Sequence, residues 1–130
     1  MNKYVDTVYV INLDRRQDRL KSVSERLNKN GIDFIRYTAF DAQNFPKKGK
    51  DKHVWNNPNI PFNAGACLIS HLSVVNIANV CQMDAVGILE DDIIFTPNFN
   101  QRLDTFMKHV PKDWDIIYLG TMPFKPHEKV

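Results

Sequence analysis

Three consecutive carboxylates, Glu90, Asp91 and Asp92, close an apolar run in the stretch GILEDDIIF, residues 87–95. Two like charges about 4 Å apart repel by roughly 4 kcal/mol at an effective dielectric near 20, and burial adds desolvation. A protonated carboxyl, a basic neighbour, open solvent or a bound cation would each offset that cost. In an extended chain residues i and i+2 point the same way. Glu90 and Asp92 are therefore expected to share a face, with Asp91 opposite. Two converging carboxylates form a hard-oxygen site suited to Mg²⁺ or Mn²⁺, which makes Glu90 and Asp92 the candidate metal ligands. The plainer alternative is a solvated acidic turn; placement at a strand end favours the metal.

A second charged group follows the first apolar run: Arg15, Arg16 and Arg19, in NLDRRQDR. Cations at a helix N-terminus are disfavoured by roughly 0.3–1 kcal/mol each. A bound anion reverses this, because guanidinium groups and free amides both grip phosphate. The alternative is an exposed face balanced by Asp14 and Asp18. His71, within GACLISHLSVVNIANV, reads as a packed core histidine ahead of a catalyst. Cys67 and Cys81, if both helical, lie about 21 Å apart, too far for a disulfide. They read as reduced and buried. The sequence carries no Walker A loop, no G-x-G-x-x-G, no G-x-S-x-G and no zinc-type Cys/His spacing.

These residues need elements to place them. Residues 4–13 read as a strand apolar enough to be covered on both faces. Asp14 and Gln17 match a capping box that would put Arg15 and Arg16 in the first turn of a helix. Leu20, Val23 and Leu27 share that helix's inner face, and Gly31 stops it. Residues 33–38 form a second strand. A long loop, 39–63, holds Pro46, Pro58, Pro61 and the basic run Lys47-Lys48-Gly49-Lys50. A helix from residue 63 or 64 to about 83 would bury Leu68, Leu72, Val75 and Asn79, with Ile69, Ile77 and Val80 beside them. Residues 84–89 form a third strand. Thr96 and Pro97 start a further helix, with Phe99, Leu103, Phe106 and Val110 inward and Pro111 ending it. Residues 115–119, DIIYL, make a fourth strand before a polar tail, 120–130.

Alternating strands and helices give an α/β class with a mostly parallel sheet between helical layers, in one domain over residues 1–130. Ligands of such sheets bind beyond the carboxyl ends of the strands, where both charged clusters fall. Net charge is +2 and charged residues make up 25% of the chain, so no nucleic acid polymer is expected as a partner. No apolar run is long enough to span a bilayer. The opening MNKYVDTVYVINLD does not read as a signal peptide, since Asp6 interrupts it, and no N-x-S/T sequon occurs. A cytoplasmic location, or the cytoplasmic face of a membrane, is the expectation.

Four segments together resemble glycosyltransferase family 25, which includes lipooligosaccharide and collagen-modifying galactosyltransferases. They are VYVINLDRRQDRLKSVSERLNKNGIDFIRYTAFDA, GACLISHLSVVNIA, AVGILEDDIIFTPNF and WDIIYLG, in family order. The resemblance implies a GT-A-like, Rossmann-like three-layer fold whose N-terminal half binds nucleotide. It implies a UDP-hexose donor, galactose or glucose, with Mn²⁺ or Mg²⁺, and transfer to a glycan or protein acceptor, as in lipopolysaccharide biosynthesis. Carried over by position, Asn12, Leu13, Arg15, Arg16, Arg19, Ala39, Asp41 and Asp91 are nucleotide-sugar-binding residues. Ser70 and His71 match the helix motif, and Glu90 and Asp92 stand where related enzymes carry D-x-D; no catalytic residue is assigned. Family members continue well past the YLG strand. A truncated or minimal member is thus expected, with a second copy or a partner chain completing the acceptor site. Two other classes fit the same residues: a non-catalytic nucleotide-sugar-binding or interaction module, and, lower, a receiver-type phosphoacceptor domain. The receiver class would place its acidic pair after the first strand rather than the third.

Overall fold

A computed structural model of the chain describes residues 1–44 and 62–120. The loop containing Lys47-Lys48-Gly49-Lys50 and the tail from residue 121 lie outside the described residues. Strand β1 is Thr7–Asn12, followed by helix α1, Gln17–Lys29, and strand β2, Ile35–Thr38. A short 3-10 turn, Ala42–Asn44, precedes helix α2, Phe62–Val80, strand β3, Val86–Glu90, and helix α3, Phe99–Met107. The sheet is wholly parallel in the order β2-β1-β3.

Strand β1 is central, so both its faces must be apolar. Val8 and Val10 pack with Val23, Leu27 and Ile32 on the α1 side. Tyr9 and Ile11 pack with Val74 of α2 on the other. The expected layering, helix–sheet–helix, follows from that alternation. Register sets the site: Ile11 lies opposite Glu90 and Asn12 opposite Thr38, so all three strands end at one rim.

The end of α1 follows its sequence. Gly31 takes φ +63°, Ile32 donates its amide to the Leu27 carbonyl at 3.0 Å and Gly31 donates to Asn28 at 3.0 Å. This is a Schellman stop, with Ile32 and Leu27 in the apolar contact that accompanies it. The start of α1 differs from expectation. The helix begins at Gln17 with Arg16 as N-cap residue and no side-chain cap. Asp14 is drawn instead to Arg36 and Thr38 of β2, while Gln17 donates to the Asp14 carbonyl at 2.7 Å. The competing guanidinium removes the carboxylate from the capping box, and Arg15 and Arg16 fall before the helix.

Helix α2 buries a different face from the one expected. Gly65, Ala66, Ser70, Val74 and Ala78 face the protein, while Leu68, Leu72, Val75 and Asn79 are exposed. Small residues let the helix sit close to the sheet, where Tyr9 and Ile11 supply the bulk. Cys67 and Cys81 are unpaired, as expected, but exposed rather than buried. Helix α3 starts two residues beyond Pro97, after Asn98 in the left-handed region at φ +57°, and Phe106 is exposed. Residues 115–119 form no strand, and Ile116 and Tyr118 are 72% and 77% exposed. Local β propensity does not make a strand without a ladder partner for its backbone groups, and none is provided among the described residues. In the described residues no helix is long and apolar enough to cross a membrane.

Candidate functional site

The rim is organised by Asn12, which is 1% exposed. Its Nδ2 donates to Asp91 Oδ2 at 2.8 Å and to the Arg16 carbonyl at 3.1 Å. Its Oδ1 accepts from Arg36 Nε at 3.1 Å. One buried amide thus ties β1 to the end of β3, to β2 and to the entry of α1. A buried amide is stable there only because each polar atom has a partner.

The three carboxylates separate. Asp91 is 7% exposed and turned toward Asn12 and α1. Arg19 Nη1 bridges Asp91 Oδ1 at 3.0 Å and Asp92 Oδ2 at 3.1 Å. Glu90 turns to α2, where its Oε1 meets His71 Nε2 at 3.3 Å and accepts from Cys67 Sγ at 3.8 Å. The expected pairing, Glu90 with Asp92 and Asp91 opposite, is therefore not the one observed. β3 ends at Glu90 and the chain turns at Asp91 and Asp92, so the two-residue alternation stops. Of the four ways to offset the charge, the structure shows two: basic neighbours, and open solvent at the exposed Glu90 and Asp92. Glu90 still belongs to the same electrostatic patch. The His71 hydrogen bond, above all, holds its carboxyl below the usual range, and Arg19 adds to this. Burial, then Glu90, then Asp92 push the Cys67 thiol up.

The arginines are likewise occupied. Arg15 Nε donates to Asp41 Oδ2 at 2.7 Å. The Gln43 amide and then Arg15 hold the Asp41 carboxyl below its ordinary value. Arg16 grips Asp18 through two bonds, of 2.9 and 2.7 Å, which lowers Asp18 to about 2. Leu13 accepts the Arg16 amide at 2.9 Å, and Ala39 donates its amide to the Asn12 carbonyl at 2.9 Å. Both are half-buried backbone supports of the rim. Beside Arg19 an open cleft of about 600 Å³ is lined by Asp18, Ser22, Arg26, Asp91, Asp92 and Ile94.

Sequence reasoning passed over Arg36, and it gave Ser70 only a helix-motif match, His71 that match and a packed core place, and Cys67 only a buried place. Arg36 completes the Asn12 network. Ser70 accepts the Phe40 amide at 2.9 Å and donates to the Ala66 carbonyl at 2.8 Å, fastening the segment after β2 onto α2. Cys67 and His71 reach Glu90 together. Their i, i+4 spacing was the available signal. His71 was expected among packed Leu68, Leu72 and Val75, but those are exposed and His71 turns to Glu90 instead.

Residues 5–130 match the family described as glycosyltransferase family 25 (LPS biosynthesis protein). The chain belongs to glycosyltransferase family 25. Among curated family 25 relatives, procollagen galactosyltransferase 1-B of Xenopus laevis is 30% identical over 88% of this chain and 21% of its own length. Inactive glycosyltransferase 25 family member 3 of Mus musculus is 28% identical over 96% of this chain and 23% of its own. The procollagen lysyl hydroxylase and glycosyltransferase of Acanthamoeba polyphaga mimivirus is 27% identical over 95% and 16%. The chain thus spans less than a quarter of the length of these three relatives, one of which is named inactive.

Proposed function

We propose that this chain is the donor-binding part of a family 25 glycosyltransferase. It binds a UDP-hexose, galactose or glucose, across the carboxyl ends of β1, β2 and β3 and presents the sugar to a glycan or protein acceptor. The observation that carries this reading is the placing of two arginine–aspartate groups just past the strand ends: Arg19 with Asp91 and Asp92 beside an open cleft, and Arg15 with Asp41 after β1 and β2. Arg15 and Arg19 exchange their carboxylates for diphosphate oxygens, to which a guanidinium fork is well matched. Asp41, kept ionised just past β2, accepts from a ribose hydroxyl, the role an acidic residue takes beyond a strand in dinucleotide folds. Asn12 holds Asp91 and the entry of α1 in register, so the rim is rigid before ligand arrives.

A hard divalent cation, Mn²⁺ or Mg²⁺, belongs to this reading, and it requires Glu90 to swing from His71 toward Asp92. Three carboxylates lie at one strand end, and Arg19 and His71 supply the positive or hydrogen-bonding partners that an ion would replace. Asp92 and Glu90 would hold it, and it would supply charge neutralisation for the departing diphosphate. Arg19, released from Asp92, is then free to turn to phosphate. A second copy or a partner chain completes the acceptor side, and a cytoplasmic setting supplies the nucleotide sugar.

A non-catalytic donor-binding module is the second reading, favoured by family 25 relatives named inactive or probable inactive. Calorimetric titration of UDP, UDP-galactose and UDP-glucose, with and without Mn²⁺, tests the first. Metal-dependent binding is expected, and no binding up to millimolar ligand with Mn²⁺ present overturns it. Release of UDP from the sugar nucleotide in the presence of an acceptor separates transferase from module.

A further inference from the structure

Cys67 and His71 stand one turn apart on the same edge of α2, and Glu90 is the last residue of β3. An i, i+4 pair projects two side chains toward one point, and here the strand end brings a third. The Glu90 oxygen lies 3.3 Å from His71 Nε2 and 3.8 Å from Cys67 Sγ. All three donor atoms fall within 4.8 Å of one another. We propose that Cys67, His71 and Glu90 form a binding site for a borderline-soft divalent cation, with zinc the best match.

Geometry supports this. Zinc bonds of about 2.0–2.3 Å put the edges of a ligand tetrahedron at about 3.3–3.6 Å. The oxygen–nitrogen separation already has that length, and the oxygen–sulfur separation exceeds it by a few tenths of an ångström; sulfur and nitrogen, within 4.8 Å of each other, close by up to about 1 Å through side-chain rotation. The donor set also discriminates. Thiolate and imidazole select zinc over Mg²⁺ and Mn²⁺, which prefer oxygen. Three protein ligands leave a fourth position, and Cys67 and Glu90 are exposed, so water or a ligand atom can reach it. The bland alternative is a histidine–carboxylate hydrogen bond with a thiol nearby. This site shares Glu90 alone with the proposed donor cation, and it does not rest on nucleotide binding.

Cobalt(II) serves as the spectroscopic probe, added to the reduced 130-residue chain without nucleotide. Four-coordinate visible bands and a thiolate-to-cobalt charge-transfer band are expected to saturate at one equivalent and to vanish on adding zinc. Cys67→Ser abolishes the charge-transfer band and weakens zinc binding by at least about tenfold, while Cys81→Ser leaves both unchanged. Circular dichroism confirms that each variant is folded; Cys67 is exposed, so the serine is tolerated. Absence of the charge-transfer band in the wild type, or its survival in Cys67→Ser, overturns the site. Calorimetry of UDP with Mn²⁺ on the same Cys67→Ser variant keeps the two readings apart, because that variant is expected to retain nucleotide binding. A wild type that binds Mn²⁺–UDP but gives no cobalt–thiolate band loses only the zinc site.

Discussion

Asp91 and Asp92 are chemically identical neighbours with opposite duties. Asp91 is buried against Asn12 and Arg19, while Asp92 is exposed and shares only Arg19. Removing one partner of a buried hydrogen-bonded pair strands the other, at about 1–3 kcal/mol. Asp91→Ala is therefore expected to lower the urea midpoint by a cost of that size, whereas Asp92→Asn should change stability by less than about 0.5 kcal/mol. Equal midpoints for the two variants would mean that the Asn12 network contributes nothing. A third carboxylate reports through pH. Asp18 is lowered to about 2 by Arg16, below the usual aspartate value near 3.9. Its contribution is present above the unfolded-state value and is lost as pH falls through about 2. Arg16→Gln should flatten the acid limb of a melting-temperature profile between about pH 4 and 2 and leave the neutral region nearly unchanged. None of these partners is written in GILEDDIIF: alternation along a strand predicts direction only while the strand lasts, and it ends at Glu90.

Helix α2 shows why periodicity can mislead. FNAGACLISHLSVVNIANV is apolar on nearly every side, so choosing the face with the largest side chains picked Leu68, Leu72 and Val75. The sheet instead accepts the face that comes closest, Ala66, Ser70, Val74 and Ala78, because Tyr9 and Ile11 already fill the space. Val74 is 0% exposed and Leu72 is 56% exposed. Val74→Ala should then cost about 2 kcal/mol, and Leu72→Gln less than about 0.5 kcal/mol, by chemical denaturation; the reverse order would restore the leucine face. Strand β1 and the stop of α1 were legible because their signals have few alternatives: a continuous β-branched run, and a glycine at a left-handed position. The stop of α2 has the same form with a poorer residue. Met83 donates to the Ala78 carbonyl at 2.9 Å around Gln82 at φ +53°. A side chain in that conformation costs about 1–2 kcal/mol, partly offset by the chain entropy glycine loses on folding. Gln82→Gly is expected to raise the melting temperature by a few degrees, and a fall would show that the Gln82 side chain makes a compensating contact.

The convergence of NLDRR and EDD on one rim could be read before any coordinates, because parallel strands with helical crossovers all end on the same side. What could not be read is the state of the charges. Arg19 supplies to Asp91 and Asp92 the kind of positive charge that a bound cation would supply. Two opposed consequences follow for Arg19→Gln. A bare divalent cation no longer competes with a guanidinium, so Mn²⁺ alone should bind more tightly than to the wild type. The diphosphate loses a bidentate partner, so Mn²⁺ with UDP should bind more weakly. Both are readable as thermal shifts, since a ligand of the folded state stabilises it by RT ln(1 + [L]/Kd), about 2.7 kcal/mol at a hundred times Kd. The variant also leaves Asp91, whose side chain is 10% exposed, without its counter-charge, so its own baseline melting point should drop. Each shift must therefore be taken from that baseline. A larger Mn²⁺ shift together with a smaller Mn²⁺–UDP shift is the expected pattern. Shifts that move in the same direction for both ligands would mean that Arg19 only braces the acidic turn, and the phosphate contact would have to come from Arg15, beside Asp41.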